Sequence, residues 1–433
     1  MTSKSIKNVV IIGGGISGPA LALALQKHSI NSTLYEGRPS NYKVGGSIAL
    51  SSNAMRMLDN LGLATKTRSI GYPGDTMSLV NLEGKELGIL TWGSETLFGY
   101  PAIITYRNSI RELLLDECQK NGISVRYDMR FVGASEDPET GIATARFANG
   151  EIVEADLLVG ADGIFSRVRE AIMPGHTPKF RGQVTVRGFT ASKNIKGLDK
   201  NDVRSKIVLS PAGSFAVLPA DKDADHIIFF STLTTHARSK EEWREFSKDQ
   251  VGLKAMLQDP FSKEPWSEYI RNLVTQTPVE GFDCWPFHTI TIPQYTSTHG
   301  HILVLGDAAH GLPPSAGQGG SMALEDALTL ALTISHFNTA LSSPSPSPSL
   351  LNHLHIWHHI RKQRIAKVEE RTNASTSTRT ATLTKSEEER GEKEKALKEV
   401  SGKGVELEWL YGYSVEGFEG EFEGRLAGVG DGE

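Results

Sequence analysis

Two glycine-rich runs stand nearly three hundred residues apart: Gly13-Gly14-Gly15-Ile16-Ser17-Gly18, and Gly306-Asp307-Ala308-Ala309-His310 with Gly317-Gln318-Gly319-Gly320 behind it. In the first, Gly13 eases a tight exit from a strand, Gly15 lets backbone approach a pyrophosphate, and Gly18 permits close helix-sheet packing. The helix opening at Ile16 and Ser17 offers unpaired N–H groups and the positive end of its dipole to phosphates. Glu36 follows Gly18 by 18 residues, where a carboxylate accepts hydrogen bonds from adenosine ribose hydroxyls. This register points to a dinucleotide rather than to a turn that serves only the backbone. The second run narrows the dinucleotide to FAD. Asp307 follows a strand and a glycine, Pro313-Pro314 stiffens the turn, and Gly317, Gln318, Gly319 and Gly320 open a helix. Its N–H groups and dipole suit an electron-rich ring that becomes anionic on reduction.

A third strand-to-loop switch is Gly160-Ala161-Asp162-Gly163, with Ser166, Arg167 and Arg169 just downstream. Asp162 there organises loop amides or binds a ribose, and an arginine neutralises phosphate charge. A capped helix beginning near Phe165 accounts for the same residues equally well. Glu325 and Asp326 read as helix-surface or interdomain contacts rather than acid-base groups.

These groups need a scaffold. Residues 9–12 form an apolar strand, 16–27 a helix and 33–35 a second strand, which together make a parallel strand-helix-strand unit with a right-handed crossover. Further on, 110–120 reads as a helix, and 123–127 and 155–159 as strands. Between 181 and 290 the pattern turns to short strands, among them 183–189, 205–209, 215–218 and 226–230, consistent with a second, more antiparallel sheet. Strand 301–305 and helix 319–334 return the chain to the first unit. Alternating Ser and Pro over 342–349 reads as an extended linker, followed by a helix over 351–371. Residues 372–403 are polar and expected to be mobile or solvent-covered, whereas Trp409, Leu410, Tyr411 and Tyr413 are apolar enough to dock back.

The chain has 433 residues, 39% of them hydrophobic, enough for a sizeable core divided between domains. A formal charge of -5 without a basic stripe gives no footprint for nucleic acid and favours a small-molecule substrate. Cys118 and Cys284 are the only cysteines, which excludes a disulfide framework and a multi-thiolate metal site. With no apolar run long enough for a secretory core or a membrane span, the expected location is the cytoplasm.

The three signatures, in this order and spacing, resemble the single-component FAD-dependent monooxygenases, the family of p-hydroxybenzoate hydroxylase, salicylate hydroxylase and the FAD-dependent urate hydroxylases. The resemblance spans residues 1–370. It implies an α/β fold in which a Rossmann-like FAD-binding domain (1–75, 101–180 and 291–371) carries an inserted mixed or antiparallel substrate domain (76–100 and 181–290). Residues 372–433 then form a polar tail with an aromatic end. It also implies that Gly13, Gly15, Gly18 and Glu36 hold the ADP part, the Asp162-Gly163 segment the pyrophosphate, and Gly306-Asp307 the ribityl chain. Gly46 and Ser47 resemble the loop close to the flavin and Arg107 the arginine before a helix that contacts FAD; Arg38 is expected to cover the cofactor, and Pro314 to shape its loop. Gly311, where the family usually has proline, and Ser321, near which many members have asparagine, depart from the pattern beside the flavin.

The chemistry implied is reduction of FAD by NAD(P)H, with NADPH placed ahead of NADH, capture of molecular oxygen, and oxygen transfer from a C4a-hydroperoxide. The substrate expected is a phenolic or heteroaromatic small molecule. Epoxidation of a secondary-metabolite alkene and a non-catalytic flavin-binding role remain as alternatives. Arg187 is the substrate-side candidate, a guanidinium able to hold a phenolate or carboxylate, with an edge-strand surface arginine as the plainer reading. Phe189, Phe215, Phe229 and Trp285 are candidates for an aromatic pocket and equally for sheet core. His310 is a candidate proton relay or a support for the flavin loop. His353, His355, His358 and His359 lack a completing ligand set, so no metal is expected.

Overall fold

The computed structural model describes residues 4–430 apart from 44, 197, 199–203, 211–212, 343–347 and 384–403. β1 (Asn8–Ile12) is buried from Val9 onward, as a central strand covered on both faces must be. It lies between β2 (Asn31–Tyr35) and Leu157–Gly160 in a parallel five-stranded sheet that Ser124–Arg126 and Ile302–Val304 complete at its edges. α1 (Ser17–Lys27) crosses over between β1 and β2, and every residue from Ser17 to Leu25 is buried. The sequence expectation of one strand over 155–159 meets a break at Asp156. Its carboxylate accepts the Lys7 and Asn8 amides at 2.9 Å each, which separates Ile152–Ala155, in an antiparallel meander, from Leu157–Gly160 beside β1.

The second sheet has eight strands, with Lys179–Ala191 between Phe282–Thr291 and His226–Thr234. Pairing is antiparallel except where Lys206–Ser210 runs alongside Thr76–Val80. Strand alternation divides its side chains. Val184, Val186, Phe215 and Phe229 join Leu257, Phe261 and Leu273 of a helical layer in one core, while Arg187 and Phe189 take the opposite face.

The helix Gly319–Ala340 runs through the main core and is followed by Leu350–Leu383. Past the chain stretch 384–403, which lies outside the described residues, the C-terminal segment packs on the body. Phe418 and Phe422 of Val415–Gly430 are 0% exposed within the main core, and Leu410 and Tyr411 of Glu408–Tyr411 are buried with Met322 and Phe98. No helix among the described residues is long and apolar enough to cross a membrane.

Candidate cofactor and substrate site

The two distant glycine runs meet at the carboxyl ends of the parallel strands. Gly13 leaves β1 at φ +119°, and a Cβ there would collide with the Ala161 carbonyl of the next strand's loop. Gly18 packs so closely on the Gly13 carbonyl that a side chain would not fit, whereas the Cβ direction of Gly15 is open, with nothing within 4 Å. Glu36 Oε2 accepts the Gly14 amide at 2.7 Å and Oε1 the Arg38 amide at 2.9 Å, so the acid braces the turn it faces. The Arg38 guanidinium lies 4.1 Å from the Tyr42 ring centroid at the exposed rim. At Gly306 a Cβ would stand 3.2 Å from Ser17 Oγ, which brings the second run against the start of α1.

Asp307 is half-buried, and its side chain makes no hydrogen bond among the described residues; its Oδ1 lies near the Cβ direction of Gly319. The helix Gly319–Ala340 starts at Gln318 with no side-chain cap, leaving its first N–H groups for a ligand. Pro314 is exposed in the short turn Pro314–Ala316, and Gly317 closes it in the left-handed region at φ +60°. An open backbone edge at Gly15, an unpaired carboxylate at Asp307 and an uncapped helix N-terminus suit the pyrophosphate, the polyhydroxyl chain and the ring of FAD.

Asp162 is held by its own loop. It accepts from Ser166 Oγ at 2.5 Å and from the Arg167 and Val168 amides at 2.7 and 3.2 Å, and Gly163 beside it takes φ +80°. Arg169 is not free for phosphate as the sequence suggested. It is 2% exposed and donates to the Ala308 carbonyl at 2.7 Å and the Ile164 carbonyl at 2.8 Å, which ties this loop to the Gly306 loop. Sequence reasoning passed over Arg111, although its place one helical turn after Arg107 was a signal. It is 4% exposed, Nε donates to the Gly14 carbonyl at 2.6 Å, and Nη2 is buried beside that turn without a hydrogen-bond partner among the described residues.

Behind the flavin loop lies a buried charge cluster. Glu325 and Asp326 are 0% exposed, which corrects the expectation of helix-surface contacts, because the following helix brings two arginines onto them. Arg361 donates Nε to Asp326 Oδ1 at 2.7 Å and Nη1 to Glu325 Oε2 at 2.8 Å; Arg364 reaches Glu325 at 2.6 and 2.7 Å. Burial pushes Asp326 up, but His310 and Arg361 override it and hold the carboxyl well below its usual range. His310, 2% exposed, shares a 2.5 Å hydrogen bond through Nε2 with Asp326 Oδ2, which also accepts the Gly306 amide at 2.8 Å. His310 therefore sits in the support of the glycine loop. Glu325 continues through Asn53 Nδ2 at 2.8 Å to Gln318 and Ser51, and Ser51 meets the departure residue Ser321 at 3.0 Å. Gly311, the other departure, packs on Ile164, whose Cδ1 end would have to shift to admit a Cβ.

The sheet face opposite the helical layer carries Arg187. Arg187 lies on a central strand, not an edge, and binds Asp283 through both oxygens, Nε at 2.6 Å and Nη2 at 2.8 Å. Its Nη1 lies against Gly46, whose carbonyl accepts the Arg107 amide at 2.9 Å, and Ser47 pairs with Tyr106. Arg107 and Arg187 both approach the Trp285 ring, at 5.3 and 5.8 Å. Of the four aromatic candidates, Phe189 and Trp285 belong to this face. Phe215 and Phe229 are 0% exposed and stack on each other in the second core, because their strand positions alternate to the other side. The four histidines of Leu350–Leu383 do not converge. His355 and His359 are exposed, His353 bonds the Ser349 carbonyl, and His358 packs on Tyr295, where burial pushes its pKa down to about 4.

Residues 7–372 match the family model described as an FAD binding domain. The chain belongs to the single-component FAD-dependent monooxygenase family. It is 30% identical over 330 residues to the FAD-dependent urate hydroxylase of Mycolicibacterium vanbaalenii, a match covering 74% of this chain and 78% of the relative. In three dimensions it resembles CtdE in complex with FAD and substrate, with TM-score 0.77 and 19% identity over 98% of this chain and 100% of the other. A salicylate hydroxylase substrate complex gives TM-score 0.73 at 22% identity, covering 97% and 98% of the two chains. The fold is therefore the Rossmann-like FAD-binding arrangement with an inserted mixed and antiparallel sheet, and the protein is an FAD-dependent monooxygenase.

Proposed function

We propose that this enzyme uses NAD(P)H and O2 to hydroxylate a planar phenolic or heteroaromatic small molecule held between the flavin and the sheet face that carries Arg187, Phe189 and Trp285. The observation that carries this reading is the meeting of Gly46, Arg107, Arg187 and Trp285 where the second sheet abuts the cofactor loops. FAD, when bound, supplies the electron transfer from nicotinamide and the activation of oxygen. The residues of the chain position and enclose. Gly13 to Gly18, Glu36 and Asp307 hold the cofactor, the N-terminus of Gly319–Ala340 places positive dipole where negative charge develops, and the Trp285 and Phe189 rings exclude water. Arg187 keeps Nη1 for a substrate oxygen while Asp283 fixes its fork. The aromatic substrates named for the urate and salicylate hydroxylases agree with a face that presents a guanidinium beside aromatic rings.

The test is anaerobic bleaching of the FAD absorbance by NADH or NADPH, with and without a panel of phenols, aromatic acids and purines. A compound that accelerates bleaching in the wild type but not in Arg187→Ala supports the reading. Reduction that no aromatic compound accelerates counts against it.

A further inference from the structure

The hairpin between Gly213–Pro219 and His226–Thr234 carries a carboxylate-imidazole pair on the Arg187 face. His226 Nδ1 lies 2.7 Å from Asp221 Oδ2, and Asp221 Oδ1 accepts the Asp225 amide at 2.8 Å, so both carboxylate oxygens are fixed. A carboxylate at Nδ1 keeps the proton there and leaves Nε2 as the basic nitrogen of the ring. Across the strand register His226 faces Ala191, which puts it on the same side as Phe189 and Arg187. Its ring stacks on Phe189 at 5.2 Å and 11°, and Tyr106 meets the two rings edge-on at 5.4 and 6.1 Å. Tyr106 directly precedes Arg107 and pairs with Ser47, so this aromatic corner borders the candidate flavin loop. With His226 42% and Asp221 22% exposed at the side chain, the ring remains reachable by a ligand. Burial, and after it the Asp221 charge, raise the Tyr106 pKa, so the phenol stays protonated as a donor.

We propose that His226, positioned by Asp221, is a catalytic base that takes the proton from an acidic ring O–H or N–H of a substrate laid against Phe189. This rests on the hydroxylase reading and narrows its substrate class to phenols and lactam-type heteroaromatics. In the step, the substrate O–H or N–H bond breaks, the Nε2–H bond forms, and the electron pair stays on the ring heteroatom. Asp221 holds the resulting imidazolium, and no oxidant or reductant is consumed. An ionised ring is the more electron-rich acceptor of an oxygen atom, and a positioned base of this kind is worth about 10²- to 10⁴-fold in rate.

The probe is 4-nitrophenol added to the FAD-loaded enzyme, read by difference absorbance at a pH where the free probe is largely neutral. Wild type is expected to bind it as the nitrophenolate, with the long-wavelength band, and His226→Gln as the neutral phenol. Asp221→Asn, which leaves the imidazole in place, should show a weakened band and serves as the deciding variant if His226→Gln loses FAD. Equal nitrophenolate bands in wild type and variant would overturn the assignment, as would a wild type that binds only the neutral phenol or none. Product formation from aromatic substrates, followed in parallel, separates the two readings. A kcat in His226→Gln within about threefold of wild type removes the base alone. A wild type that oxygenates no aromatic compound removes the hydroxylase, and the nitrophenol spectra still decide the proton acceptor.

Discussion

Arg361→Ala removes the guanidinium at the centre of the charge cluster behind the flavin loop. Arg361, Glu325 and Asp326 are all 0% exposed, so water does not replace the lost partner. Its hydrogen bonds to both carboxylates disappear, which leaves Glu325 to Arg364 and Asp326 to His310. Breaking a buried pair in this way costs about 3–5 kcal/mol, a large part of a typical stability of roughly 5–15 kcal/mol. The pH dependence has a definite sign. Burial pushes both carboxyls up, but Arg364 and Arg361 override it at Glu325, and His310 and Arg361 at Asp326, so both folded values lie below normal. Their contribution is therefore fully present above the unfolded carboxylate pKa of about 4, and is lost as pH falls through the lower folded values. Without Arg361 the folded values rise, so the destabilisation should be largest at pH near 7 and shrink toward about pH 4. Urea unfolding of the FAD-free proteins, followed by tryptophan fluorescence, measures this. Pairing the variant with Asp326→Asn should give a coupling of about 1–3 kcal/mol. A loss below about 1 kcal/mol near neutrality, or one that grows on acidification, refutes the reasoning.

Gly15→Ala should leave the FAD-free protein as stable as wild type, since its Cβ meets nothing within 4 Å, yet weaken FAD binding severalfold by flavin fluorescence titration. Gly18→Ala should lower both stability and FAD content, because its Cβ collides with the Gly13 carbonyl; equal behaviour of the two variants would contradict the assigned roles. Phe418→Ala, at a position 0% exposed, should cost about 3–5 kcal/mol in denaturant unfolding, and a loss under about 1 kcal/mol would mean that the C-terminal helix does not pack as described. Burial pushes the Cys118 and Cys284 thiols up to about 12 and about 11, so a thiol reagent at neutral pH should modify the native protein slowly and the urea-unfolded protein fast.

The placement of the glycine turns at the strand ends was legible because its signals are local. Gly13 to Gly18 and Glu36 act within one strand-helix-strand unit, and Gly306-Asp307 follows the strand Ile302–Val304 at close range. The supports were not legible, because each depends on a partner far along the chain. Arg187 finds Asp283 96 residues away, and Arg361 meets Asp326 at a separation of 35. Arg361 and Arg364 follow four histidines on one helix, and only tertiary packing turns the two arginines inward. Phe189 and Phe229 are the same residue type on neighbouring strands, and only their register assigns one to the Arg187 face and the other to the core. Asp221 and His226 lie five residues apart, but hydrophobic periodicity registers the start of a strand there and not the hairpin that folds the carboxylate onto the imidazole.

The most direct measurement is the mass of the product formed from an aromatic substrate by the FAD-loaded enzyme with NADPH under ¹⁸O2. One labelled oxygen atom is expected in the product, with NADPH and O2 consumed together. A substrate oxidised without label, or NADPH consumed with hydrogen peroxide as the only oxygen product for every aromatic compound in the panel, would contradict it.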